Sequence, residues 1–304
     1  MNTRTVRRVC VSIAAAAALT GVAACGGGSA GKSEGKSESK GGGKDRSEGG
    51  GSFNPLTALR TVDDKTEDAD SAKVDGTTTM GAQGSMEMKG ALDWADGVTG
   101  VLRIKFTDGP MADQMQQTGD TSIDYRYLKN GYYANMGDKF AAASGGKHWI
   151  EYDYETLAEM GGASGRALKN QMQSSTPNQT VKMLLASGDV KRVGEEKVRG
   201  VNTTHYSGTV DVADLTAKNA GMDEKDAAAL RKQLQEAGMT TEKIDIWVND
   251  QDLLVKKVEE AKMKTGEFSQ TVYYSDYGVD VATEQPPADD TINVKDLMKR
   301  QPQQ

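Results

Sequence analysis

SMEMKGALDWADGVTGVLRIKF, residues 85–106, is the stretch on which the fold class turns. Val98, Leu102, Ile104 and Phe106 alternate with Thr99, Arg103 and Lys105. A period of two places one set on a dry face and the other in water, which is the pattern of a half-buried strand. Upstream, Met86, Met88 and Leu92 share one face of a segment running to Trp94. Between the two runs stands Asp96-Gly97, a dipeptide that favours the tight turn of a hairpin. The stretch therefore predicts two antiparallel strands with one greasy side.

The same pattern extends outward. Ser122 to Tyr127 alternates, with Ile123, Tyr125 and Tyr127 on one side, and Lys129-Asn130-Gly131 turns it into Tyr132 to Met136. A short strand is expected at His148-Trp149-Ile150, and others at Lys191–Lys197, Thr203–Val210, Ile244–Val248, Leu253–Met263 and Glu267–Tyr277. Short connections mean antiparallel pairing. Helices are expected where Asn54 precedes Pro55, Leu56, Leu59 and Val62, over Tyr154 to Met160, after Thr176-Pro177 with Val181, Leu184 and Leu185 on one face and Gly188 as the stop, and over Asp223 to Ala237. These elements give an α+β fold: a strongly curved antiparallel sheet of about 10–11 strands, a half-barrel, with helices over its concave face. One domain is expected over residues 53–304, with a loose tail from Glu284 in which Val294, Leu297 and Met298 could dock.

The start of the chain speaks to location. Arg4, Arg7 and Arg8 precede an apolar run from Val9 to Leu19, too short for the ~20 residues of a membrane span but suited to a signal peptide over residues 1–24. Gly21-Val22-Ala23-Ala24-Cys25 resembles the bacterial lipobox, in which the cysteine thiol is acylated. An ordinary secretory signal cut after Ala24 is the alternative. The Arg7-Arg8 pair admits twin-arginine export, although the general route fits the following residues better. Residues 26–52 are nearly all Gly, Ser, Lys and Glu, and are expected to form a disordered tether of about 30 Å root-mean-square reach. The protein is thus expected outside the cytoplasm, held to the outer face of the cell membrane through Cys25.

Charge and residue counts narrow the function. Removing residues 1–24 takes three of 37 basic residues and none of 44 acidic ones, so the formal charge moves from −7 to −10. Such a chain is a poor partner for nucleic acid. Cys10 leaves with the signal and Cys25 is acylated, so the mature domain offers no thiol for disulfides, metals or catalysis. The two histidines, His148 and His205, have no clustered ligands and no G-x-S-x-G serine to serve. The pairs Asp63-Asp64, Glu195-Glu196, Glu259-Glu260 and Asp289-Asp290 read as solvated charge. No enzyme activity, cofactor or metal is expected, and the domain is expected to be a monomer.

VGEEKVRGVNTTHYSGTVD (residues 193–211), DIWVNDQDLLVKKVE (residues 245–259), YLKNGYYANMG (residues 127–137) and KHWIEYD (residues 147–153) together resemble the actinobacterial LppX/LprG-type lipoprotein family. The resemblance implies a LolA-like half-barrel that holds an acylated lipid or glycolipid between sheet and helices, without catalysis. Met86, Met88, Leu102, Ile104, Phe106, Ile123, Tyr125, Leu184 and Leu185 are the residues expected to line such a cavity. Methionine, with 13 copies after Met1, suits a wall that re-packs around its ligand. With only 37% hydrophobic residues, the cavity could also be small or filled by side chains. The alternative function is a protein-interaction or stress-sensing module of the same fold with no lipid cargo, its protein partner unknown.

Overall fold

The structure, a computed structural model, describes residues 54–119, 121–173, 176–211 and 234–300, together with 228, 231 and 232. Cys25 and the expected signal peptide and tether lie outside these residues, as does most of the helix expected over Asp223–Ala237.

Twelve strands form one open sheet. They are β1 (Ser71–Met80), β2 (Ser85–Asp93), β3 (Thr99–Asp108), β4 (Ser122–Leu128), β5 (Gly131–Asn135), β6 (Trp149–Asp153), β7 (Val190–Val198), β8 (Val201–Asp211), β9 (Thr241–Asn249), β10 (Leu254–Met263), β11 (Gly266–Ser275) and β12 (Thr291–Asn293). Their spatial order is β12-β6-β5-β4-β3-β2-β1-β11-β10-β9-β8-β7. Every neighbouring pair is antiparallel except β12 with β6. The fold is therefore the α+β class expected, with two strands beyond the ten read from alternation.

One of those two, β1, is the strand that joins the halves, pairing β2 on one side and β11 on the other. Its buried positions include Ala72, Val74, Gly76 and Thr78, too small and too polar to announce a strand by hydrophobicity. Glycines step diagonally across the sheet here. A Cβ on Gly76 would fall 2.6 Å from the Thr271 carbonyl oxygen, and one on Gly90 would fall 1.9 Å from that of Val101. Neighbouring backbones approach where a side chain would prevent it, which lets the sheet coil tightly.

Two sets of helices cover the same face. α1 (Pro55–Glu67) begins as expected, with the Asn54 side chain accepting from the Leu56 amide at 3.0 Å. α5 (Asn178–Ser187) ends at Gly188 in the left-handed conformation. Leu59 and Val62 of α1 and Val181, Met183 and Leu184 of α5 pack on Tyr206, Ile244, Ile246, Leu254 and Val272. Asn178 ties the two helices together, donating to Asp63 at 3.0 Å and Glu67 at 3.1 Å.

Over the other half lie α2 (Pro110–Thr118), α3 (Gly137–Ser144) and α4 (Tyr154–Gln173). α4 was expected to stop near Met160 but continues to Gln173 and doubles back. Glu155 pairs with Lys169, which a straight helix would hold ~21 Å apart. A Cβ on Gly165 would fall 2.1 Å from the Leu157 carbonyl oxygen. The chain therefore reverses between Leu157 and Gly165, a span that contains most of the sequence GGASG at 161–165.

The tail is not loose. β12 adds to the sheet edge through Ile292, and Val294 at the start of the closing helix Val294–Arg300 is buried with it. His148 donates its backbone N–H to Asp290 at 2.9 Å, and its Nδ1 lies 2.6 Å from the same carboxylate. The hydrogen bond to Asp290 raises the imidazole pKa and, from the other side, the His148 amide lowers that of Asp290. A pattern of three short strand residues gives no periodicity to read, so this attachment is a tertiary result.

Candidate functional site

The inner face of β2, β3 and β4 collects seven of the nine expected cavity residues. Register places Met86 beside Phe106, Met88 beside Ile104, Ile104 beside Ile123, and Leu102 beside Tyr125. Leu184 and Leu185 are not among them. They sit on α5 against the other half, where Leu184 is fully buried in a closed core. The structure thus separates those two from the site.

Burial along this face is uneven. Met86, Phe106 and Ile123 are buried, while Met88, Leu102, Ile104 and Tyr125 keep partial exposure. Leu102 touches both large apolar clusters and so marks the seam between them. Met80, Met111, Met115, Met136 and Met172, all partly exposed, pack on the second of these clusters. Flexible thioethers that are neither sealed nor fully exposed make an adaptable apolar wall.

Tyrosine concentrates beside it, and this was not foreseen. Of ten tyrosines, Tyr125, Tyr127, Tyr132, Tyr152 and Tyr154 form one contiguous group. Tyr132 stacks on Tyr152 with centroids 4.6 Å apart and planes 10° from parallel. Burial pushes the phenols of Tyr152 and Tyr154 up to about 12, and those of Tyr125, Tyr127 and Tyr132 higher still. The sequence signal was the Y-x-Y and Y-Y spacing in β4 and β5, but only pairing with β6 brings the group together.

A polar band bounds the apolar face on its other side. Gln270 and Thr78 are cross-strand partners, nearly fully buried, with the Gln270 amide donating to the Thr78 hydroxyl at 3.1 Å. Gln270 Oε1 is buried with no partner. Behind it, Lys257 lies 3.0 Å from Glu259, and Thr180 of α5 donates to Glu259 at 2.6 Å. Glu259 is 0% exposed, which corrects the reading of Glu259-Glu260 as solvated charge. The cause is a β-bulge at Val255, which shifts the alternation of β10 so that Lys257, Glu259 and Ala261 point inward. Next to them, burial and the charge of Glu259 raise the Glu242 carboxyl well above its usual range, with Lys257 opposing.

The histidines are distributed elsewhere. His148 clamps the tail. His205 stacks on Trp247 at 4.2 Å and reaches Asp245 at 2.8 Å on the outer face of the sheet. Among the described residues no group of three or more His, Cys, Asp or Glu is arranged to hold a metal ion, and no helix is long and apolar enough to cross a membrane. A cavity of about 220 Å³ opens between α1 and Trp94, lined by Glu67, Asp68, Asp70, Asn178 and Lys182. Its walls are polar and do not suit an acyl chain.

No family model matches the chain. It is 57% identical over 248 residues to a Streptomyces griseus protein named "Uncharacterized 31.2 kDa protein in rplA-rplJ intergenic region", covering 81% of each chain. It is 44% identical over 309 residues to the Streptomyces coelicolor protein named "Putative lipoprotein SCO4650", covering 99% of each. Among solved structures, LprF from Mycobacterium bovis aligns with a TM-score of 0.46 at 16% identity, over 76% of this chain and 96% of that one. The Mycobacterium tuberculosis lipoprotein LppX aligns at 0.45 and 14%, over 75% and 97%. By its identity to the two Streptomyces proteins, one of them named a putative lipoprotein, the chain belongs to their family.

Proposed function

We propose that this protein is an extracytoplasmic lipoprotein, anchored through Cys25 to the outer face of the cell membrane, which binds an apolar acylated ligand on the inner face of its sheet without catalysis. The observation that carries the reading is the run Met88–Ile104–Leu102–Tyr125, apolar and only partly covered, at the seam between two helical covers. Burying a chain there recovers ~0.8 kcal/mol per methylene, which offsets its extraction from a bilayer without any chemical step. The doubled-back α4, whose Leu157 and Met172 pack on this cluster, is the element placed to yield when a chain enters.

Native mass spectrometry of the full chain carrying Cys25→Ser, gently purified from cell envelopes, tests the reading. A co-purifying acyl species lost from Ile104→Asp supports it. Clean protein under several extraction conditions overturns it. The second reading, an envelope protein-interaction or stress-sensing module, is favoured by the sealed core beneath α1 and α5, which leaves half of the inner face no room for cargo. Crosslinking in cells separates the two, since a sensor traps one protein partner and a carrier does not.

A further inference from the structure

Six of the fourteen methionines pack on one apolar cluster, and four of those six are gathered where two turns touch. The turn from β1 to β2 meets the turn from β3 into α2 at a pair of glycines. A Cβ on Gly109 would fall 2.6 Å from the Gly84 Cα, and one on Gly84 would fall 2.0 Å from the Asp108 carbonyl oxygen. Both glycines sit at positive φ, 110° at Gly84 and 88° at Gly109. Met80 donates its backbone N–H to the Gly84 carbonyl at 2.8 Å, and Met86 follows Gly84 by two residues. On the other side of the contact α2 starts directly after Gly109 and carries Met111 and Met115.

The four side chains share a direction. Thr78 pairs with Met86, so Met80, two residues on from Thr78, lies on the same inner face, diagonal to Met86. Such diagonal neighbours stand ~7–8 Å apart, within reach of long side chains. Met111 and Met115 are one helical turn apart, and both pack on the cluster that holds Met86. A thioether has three rotatable bonds and a polarizable sulfur, so four of them around one contact can turn their sulfurs to a common centre. Met86 is buried and the other three keep partial exposure, which leaves a way in from solvent.

Thioether sulfur selects a soft cation, Cu(I) above all, whereas Ca²⁺ and Mg²⁺ require oxygen ligands. Both cysteines of the chain fall at or before residue 25, so methionines are the soft donors the domain has. A neutral set of sulfurs also suits a single charge better than a double one, because charge left uncompensated in an apolar setting is costly.

We infer that Met80, Met86, Met111 and Met115 form a binding site for a soft monovalent metal ion, Cu(I), at the end of the inner face where α2 meets β2. The site does not rest on the acyl-binding reading, which is carried by Met88, Ile104, Leu102 and Tyr125.

Anaerobic titration with Cu(I) held by bicinchoninate gives the test, on the full chain carrying Cys10→Ser and Cys25→Ser so that no thiol competes. The protein takes one equivalent of Cu(I) from the dye, Ag(I) displaces it, Zn²⁺ does not, and X-ray absorption at the copper edge shows sulfur neighbours alone. Met111→Leu/Met115→Leu preserves volume and apolar character and weakens Cu(I) by about ten-fold or more. Met183→Leu, in the sealed core, leaves Cu(I) binding unchanged. The inference is overturned if the dye keeps its copper, if the double variant binds as tightly as its parent, or if the spectrum shows nitrogen or oxygen ligands. Should the double variant fail to fold, Met80→Leu and the spectrum of the parent chain decide. Fluorescent palmitate, titrated into the metal-free parent as an acyl probe, tests the proposed function separately, so either reading can fail while the other stands.

Discussion

Two halves of one sheet, covered on the same face, are built to different standards. Over β8–β11, branched side chains from α1 and α5 interlock with none of their surface left to solvent. Over β2–β6, the partly covered residues are five methionines with Leu102, Ile104, Tyr125, Phe140, Leu157 and Leu297, and α4 folds back above them. The first half resembles a core whose worth is stability, and the second a wall whose worth is adaptability. The two halves meet at Leu102, which packs on both clusters.

The largest expected effect lies in the sealed half, at its buried ion pair. Glu259→Leu leaves Lys257 buried without its counter-ion and should cost about 3–5 kcal/mol in urea unfolding, whereas Lys257→Met/Glu259→Leu should be neutral or stabilise by about 1–4 kcal/mol. Equal losses in the single and double variants would mean that the pair does not act as a unit.

Next in size is a truncation in each half. Leu184→Ala should cost about 2–5 kcal/mol by opening a void in a sealed core, with acyl-probe binding unchanged. Ile104→Ala, partly exposed, should cost less than half as much and weaken the probe by about ten-fold. Denaturation and titration of the same two proteins test whether stability and binding are divided in this way.

Glu242 gives a smaller, pH-dependent effect. Its carboxyl is raised in the folded protein from a reference of 4.5, so the folded state holds a proton that the unfolded chain gives up. Stability is therefore lost progressively as the pH rises above about 4.5. Glu242→Gln should raise the melting temperature by several degrees at pH 7 and hardly at all at pH 4. A pH-independent shift would point to packing instead.

The smallest effect is at the tail clamp. The raised His148 pKa makes its contribution complete below 6.5 and lost as the pH rises through the raised value. The lowered Asp290 pKa makes that residue's contribution complete above 3.8 and lost as the pH falls through the lowered value. Amide exchange in Thr291–Asn293 should be slowest between these limits, and Asp290→Asn should flatten the profile. Probe binding, made elsewhere, should not change.

How far the sequence reached differs along the chain. The hairpin of β2 and β3, helix α1 with its Asn54 cap and helix α5 with its Gly188 stop were legible because large apolar residues repeat there at the period of the element. That seven of the nine candidates share one face of β2–β4 was legible for the same reason, since alternation names a face. Strand β1 was missed because its inward positions are Ala, Val, Gly and Thr, chosen for close backbone approach rather than for grease. The reversal in α4 was missed because a helical period says nothing of direction after a glycine run. The tyrosine group was missed because its members come from β4, β5, β6 and α4, and only pairing collects them.

From the order of residues alone came the class of fold, the acidic charge and the identity of one apolar face, because these depend on composition and local period. Which half of that face is sealed, which is partly open, and that Lys257 and Glu259 turn inward were decided by tertiary structure. The physical reason is the bulge at Val255: one extra residue in a strand exchanges its faces, and whether it forms depends on the partner strand.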